Sequence, residues 1–179
     1  RPLAVITLPS QQQTIMLAMD VSGSMRASDV EPDRLTAAQN AAKAFIAELP
    51  RHVRVGIVAF AGSAQLAQLP TQSHEDLVKA IDSFQLQRGT ATGNGIMLAL
   101  ATLFPNAGID IAALGERQAM RPRSLDEVTR QDPAKTFTPV APGSYNSAAI
   151  IMLTDGQRTT GVDPLEAAKL ASDRGVRVY

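Results

Sequence analysis

Cysteine and tryptophan are both absent from this 179-residue chain, and five phenylalanines and two tyrosines are its only aromatic rings. Without cysteine there can be no thiolate metal site and no disulfide to staple a small core. So few aromatics leave no platform for stacked bases, which argues against nucleic acid as a ligand. Excess charge is missing too. Seventeen Lys plus Arg balance 17 Asp plus Glu, so no net field draws the chain to nucleic acid or to an anionic membrane surface. Long apolar runs are likewise lacking: Ala148 to Leu153 is a strand-sized hexamer, far short of the ~18 residues of a membrane span. No signal-peptide pattern is present. The chain starts at Arg1 and stops at Tyr179 within a strand-like run, so the expectation is one piece of a longer protein, with its C-terminal end truncated.

What is present suits one globular domain over residues 1–179, since 45% of the residues are hydrophobic. Thr14 to Met19 reads as a strand buried on both faces. Leu35, Ala38, Ala42, Phe45, Ile46 and Leu49 then recur at helical spacing, with Pro32 near the start and Pro50 just past the end. Val53 to Phe60 reads as a second strand, and Ala64 to Leu69 as a short third one across the Ala61-Gly62-Ser63 turn. Ser73, with Asp76 three residues on, caps a helix to about Phe84. Ile96, Leu100, Leu103 and Phe104 form the apolar stripe of another helix, and Ala148 to Leu153 is the next strand. Asp163-Pro164-Leu165-Glu166 opens a last helix that ends before Gly175, and Val176 to Tyr179 begins a further strand. Apolar strands alternating with amphipathic helices predict an α/β fold in three layers, a mainly parallel sheet with helices on both faces. Residues 105–147 break this rhythm with five of the 11 prolines, and are expected to form a long, mobile surface insertion in which Ser124 to Glu127 caps one short helix.

Sheets of this type bind ligands beyond the carboxyl ends of their strands. Three segments offering small oxygen ligands fall at strand ends or helix starts: Asp20, Ser22 and Ser24 after the first strand, Gly89-Thr90-Ala91-Thr92-Gly93 at a helix start, and Thr154-Asp155-Gly156 after a later strand. Alternate residues of an extended loop can turn their side chains toward one point. Carboxylates and hydroxyls without His or Cys are hard ligands, suited to Mg²⁺, Ca²⁺ or Mn²⁺. Taken singly, each segment has a plainer reading: a turn at Asp20 to Ser24, a helix N-cap at Thr90, a turn at Asp155-Gly156.

Together, DVSGSM at 20–25, the Thr of GTATG at 89–93 and LTDG at 153–156 resemble the metal-ion-dependent adhesion site of von Willebrand factor type A domains. The resemblance implies one antiparallel edge strand, the third. It also implies a metal held by Asp20, Ser22, Ser24, Thr90 and Asp155, the serines through their hydroxyls, the aspartates directly or through water, and Thr90 in one conformational state. Mg²⁺ is the expected ion, with Ca²⁺ or Mn²⁺ as substitutes. Two carboxylates roughly neutralise such an ion, so an open position can accept an Asp or Glu from a protein partner. Ser24 to Asp29, Pro32 to Leu35, FAGSAQLAQLPTQ at 60–72 and GTATGNGI at 89–96 further resemble bacterial membrane-anchored proteins of the aerotolerance (Bat) type. That narrower likeness implies the soluble, extracytoplasmic part of a protein anchored in the bacterial cell membrane. Asn94 stands where many relatives carry an acidic residue.

The expected role is therefore binding, with no nucleic acid partner and no catalysis. The alternatives are Mg²⁺-dependent phosphoryl transfer on a similar sheet and a purely structural metal. A phosphoryl-transfer site would want an Asp two residues after Asp20, where Ser22 stands, and a Lys in these loops, where there is none. His52 and His74 are isolated, and Met16, Met19 and Met152 fit core packing. Gly89, Gly93 and Gly95 lack the Gly-Lys-Ser/Thr of a phosphate loop. Asp29 and Arg34 could pair and hold the first loop against the first helix.

Overall fold

The computed structural model describes residues 13–110, 137–156 and 158–179. Within them lie five strands and four helices: β1 (Thr14–Asp20), α1 (Arg34–Glu48), β2 (Arg54–Phe60), β3 (Ala64–Thr71), α2 (His74–Asp82), α3 (Thr92–Leu103), β4 (Ala148–Leu153), α4 (Pro164–Asp173) and β5 (Arg177–Val178). The sheet runs in the order β3-β2-β1-β4-β5. β1 pairs in parallel with β2 on one side and β4 on the other, β5 extends the parallel set, and only β3 is antiparallel. The antiparallel edge strand is thus the third, as expected. It is longer than the short strand anticipated, because register shifts near Val55 and Ile57 let eight residues follow β2.

The alternation along β1 explains the three layers. Met16 and Ala18 point to one face and pack with Phe60, Ile96, Met97, Leu100, Ala167 and Ala171, under α3 and α4. Leu17 and Met19 point to the other and pack with Ala42, Ile46, Leu77 and Ile81, under α1 and α2. A strand flanked by both cores must be apolar throughout, and Met16 to Met19 are at most 1% exposed. Burying each of these larger side chains stabilises the fold by about 1.5–3 kcal/mol.

Two helix starts match the sequence reading: Ser73 accepts from the Asp76 N–H, and Asp163 accepts from the Leu165 N–H with Pro164 at the first position. α1 is capped by Asp33, whose carboxylate takes both the N–H and the hydroxyl of Thr36 at 2.8 Å. The described flanks of the long insertion lie at the end of the sheet away from the strands' carboxyl termini. There Phe104 meets Tyr145 with ring centroids 5.3 Å apart, and Arg174 sits over the Phe137 ring. The expected short helix at Ser124 to Glu127 falls outside the described residues.

Candidate metal centre

β1 is where the strand order reverses, with β2 on one side and β4 on the other, so its carboxyl end opens a crevice. Asp20, the last residue of β1, is 1% exposed and has both carboxylate oxygens engaged. Oδ1 accepts the Ser22 N–H and Oδ2 accepts the Thr154 hydroxyl, each at 2.8 Å. One buried carboxylate thereby ties the loop after β1 to the loop after β4.

The loop after β1 does not stay extended. Ser22 is extended (φ −69°, ψ 163°), and Gly23–Arg26 then wind into a single 3-10 turn. The Met25 and Ala27 N–H groups bond to the Ser22 and Ser24 carbonyls, and the Met25 side chain anchors the turn in the core. This turn, rather than strand alternation, brings Ser22 Oγ within 2.9 Å of Ser24 Oγ. Ser22 is buried while Gly23 and Ser24 are exposed, which gives the centre a closed floor and an open rim.

Thr90 arrives from the side of β2. The Gln87 N–H donates to the Val21 carbonyl and the Gly62 N–H to the Arg88 carbonyl, both at 2.8 Å. Gly89 turns the chain at φ +80°, against Gly62, where a Cβ would collide with backbone. The Thr90 N–H then donates to Thr159 Oγ1 at 2.8 Å, while its carbonyl accepts the Thr159 and Thr160 N–H groups. Its plainer reading as a helix cap does not hold: the residue before α3 is Ala91, with no side-chain cap. Thr90 is 4% exposed, and the neighbouring Thr92 Oγ1 is buried without a hydrogen-bond partner. Asn94 accepts the Val162 N–H at 2.8 Å, a tethering role that a neutral amide oxygen fills.

Asp155 follows β4. Its Oδ2 accepts from Arg34 at 3.0 Å, whereas its Oδ1 is buried and has no hydrogen-bond partner. Arg34, the first residue of α1, also grips Asp29 through Nε at 2.8 Å and a terminal nitrogen at 2.7 Å. The anticipated Asp29–Arg34 pair is therefore present, and hydrogen bonding from Arg34 holds the Asp29 carboxyl below the usual carboxylate range. An apolar groove of about 280 Å³, lined by Met25, Val30, Ala37, Ala38 and Leu153, opens beside Arg34 and Asp155.

Sequence reasoning missed two of these contacts, Thr154 on Asp20 and Arg34 on Asp155. The first had a usable signal. Met19 lies opposite Leu153 in the β1–β4 ladder, so the next residues, Asp20 and Thr154, fall side by side once that pairing is assumed. Among the described residues, no three His, Cys, Asp or Glu side chains cluster as a metal-binding group. The candidate set is of another kind, two carboxylates and three hydroxyls.

The five-stranded, mainly parallel sheet with helices on both faces is that of a von Willebrand factor type A domain. The chain belongs to that family, whose profile matches residues 15–157. It is similar to a UPF0353 protein of Nocardia farcinica, 33% identical over 99% of this chain and 47% of that one. The chain thus spans about half the length of that curated relative. Among solved structures it is similar to BatB of Bacteroides thetaiotaomicron, at 27% identity and TM-score 0.63, over 93% of this chain and 64% of that one. It is also similar to an aerotolerance-related membrane protein of Bacteroides fragilis, at 25% identity and TM-score 0.64, over 93% and 65%. Among the described residues no helix is long and apolar enough to cross a membrane.

Proposed function

We propose that this domain binds a protein partner through a divalent cation, most suitably Mg²⁺, held by Ser22, Ser24 and Asp155 with Asp20 and Thr90 in support. The observation that carries the reading is Asp155 Oδ1, a buried carboxylate oxygen with no hydrogen-bond donor. Leaving such an atom unpaired is costly, and a cation would satisfy it. The two serine oxygens support the same ion. Their 2.9 Å separation is a hydrogen bond, and it is also the edge of an octahedron with metal–oxygen bonds of about 2.05 Å. The longer bonds of Ca²⁺, roughly 2.3–2.6 Å, would need these oxygens to spread.

Asp20 already spends both oxygens on Ser22 and Thr154, which suits a role that orients the loops and reaches the ion through water. Thr90 has its backbone clasped by Thr159 and Thr160, so its side chain can contribute without moving the chain. The charges close to neutrality, with Asp20 and Asp155 against the ion and Asp29 against Arg34. Bound Mg²⁺ would supply a Lewis-acidic position at the exposed rim, and a partner's Asp or Glu is the group to fill it. The apolar groove beside Asp155 leaves room for an aliphatic side chain next to that carboxylate. Exposure of Gly23 and Ser24 favours this open arrangement over a purely structural ion. In the whole protein, likeness to a membrane protein supports a domain held at a bacterial membrane, and the outer side of that membrane is part of the proposal.

Titration calorimetry with Mg²⁺ on the chain and on Ser22→Ala tests the centre, and Mg²⁺-dependent capture of a carboxylate-bearing partner tests its use. Binding and capture are both expected to be lost in Ser22→Ala. Mg²⁺-dependent hydrolysis of a phosphate ester at a substantial rate would overturn the binding reading in favour of catalysis.

A further inference from the structure

Arg34 is the one cation in direct contact with the candidate ligands among the described hydrogen bonds and ion pairs, and its geometry divides the Asp155 carboxylate into two unlike halves. Oδ2 is held by a guanidinium nitrogen at 3.0 Å, and Oδ1 is left buried and unpaired. A positive group this close to a cation site would ordinarily oppose the ion. Here Asp29 grips the rest of the same guanidinium through two hydrogen bonds of 2.8 and 2.7 Å. The Asp29–Arg34 pair therefore brings a hydrogen bond to Asp155 without bringing net charge. Arg34 is also the first residue of α1, and its N–H donates to the Ala27 carbonyl at 2.9 Å. The guanidinium is thus mounted where the loop after β1 joins the helix.

We propose that Arg34 is a positioning residue for the metal centre: it fixes Asp155 so that one oxygen alone faces the ion, and Asp29 cancels its charge so that it does not repel that ion. This rests on the metal-binding reading above and adds to it a device that sets affinity. Groups that orient a ligand from outside commonly change metal affinity by about 10–100-fold when removed.

Mg²⁺ titration calorimetry on the whole chain, repeated with Mn²⁺ and paired with thermal melts without metal, tests this in four proteins. Arg34→Gln is expected to weaken binding about tenfold or more. Asp29→Asn, which leaves the guanidinium charge uncancelled, is expected to weaken it less, and more strongly at low salt than at high salt. At low salt the double variant, which carries neither charge, should bind more weakly than Arg34→Gln, whose Asp29 carboxylate stands uncancelled, and the difference should shrink at high salt. A purely structural ion pair would lower the melting temperature in both single variants and leave affinity unchanged. Affinity within twofold of the parent in the charge-neutral double variant, or a loss in Asp29→Asn that does not depend on salt, would overturn the proposal. A parent chain that binds neither ion would overturn the metal reading itself, a result distinct from an intact parent site indifferent to Arg34.

Discussion

Thr154 shows how much a single hydroxyl can carry. It donates to Asp20 Oδ2 at 2.8 Å, and its oxygen also accepts the Gly156 N–H at 3.1 Å, so it fixes both the floor of the centre and the turn that presents Asp155. Thr154→Val keeps the shape and removes both bonds. An unsatisfied oxygen then remains on a buried carboxylate, at a cost of roughly 1–3 kcal/mol. Mg²⁺ affinity is expected to fall about tenfold as Asp20 loses its orientation. A urea midpoint and a calorimetric titration on the same variant check the two effects separately, and unchanged affinity would show that Asp20 is held without Thr154. The three segments that carry the candidate ligands could be read from residue type and position, because hard oxygen ligands at strand ends are a local signal, while the choice of five residues within them rests on the family resemblance. The contacts that aim them could not be read so. Thr154 and Asp20 lie 134 positions apart and meet through strand register, and Arg34 and Asp155 lie 121 apart and meet where the start of α1 reaches the loop after β4, so neither pairing follows from neighbouring letters.

At the scale of elements, the periodicities were legible wherever one face packs against the sheet. Ala42 and Ile46 of α1, Leu77 and Ile81 of α2, and Ile96 and Leu100 of α3 are all buried, as stripes at helical spacing require. The beginnings of elements were less legible. Asp33 caps α1 between two more conspicuous residues, Pro32 and Arg34, and the 3-10 turn at Gly23–Arg26 has no periodic signature of its own. The Asp33 cap also has a pH dependence. Hydrogen bonds from the Thr36 N–H and then the Thr36 hydroxyl hold its carboxyl below the usual range. A carboxylate whose pKa is depressed by folding contributes stability that is complete above its unfolded value, about 3.9, and is lost as pH falls through the lower folded value. Thermal melts from pH 6 downward are therefore expected to lose stability more steeply below about pH 4 in the parent than in Asp33→Asn, which can still cap but cannot titrate. Parallel profiles for the two proteins would assign the acid sensitivity elsewhere.

For the whole molecule, the two cores on opposite faces of one sheet make β1 its central strand, paired along Thr14–Asp20 with β2 and along Thr14–Met19 with β4. Backbone amides in such a strand exchange with solvent only through global unfolding, whereas a short exposed turn opens locally. The candidate centre straddles that boundary. Asp20 ends the central strand, while Ser24 lies in a four-residue turn at the surface. Native-state hydrogen exchange should accordingly find the amides of Leu17 to Met19 among the slowest and those of Arg26 to Asp29 among the fastest near the centre. Mg²⁺ should slow the second group well beyond the first. The ion would then act as a clamp on the soft half of its own site. How readily the domain lets go of a partner would be governed by the breathing of one surface turn, with the sheet beneath it holding still.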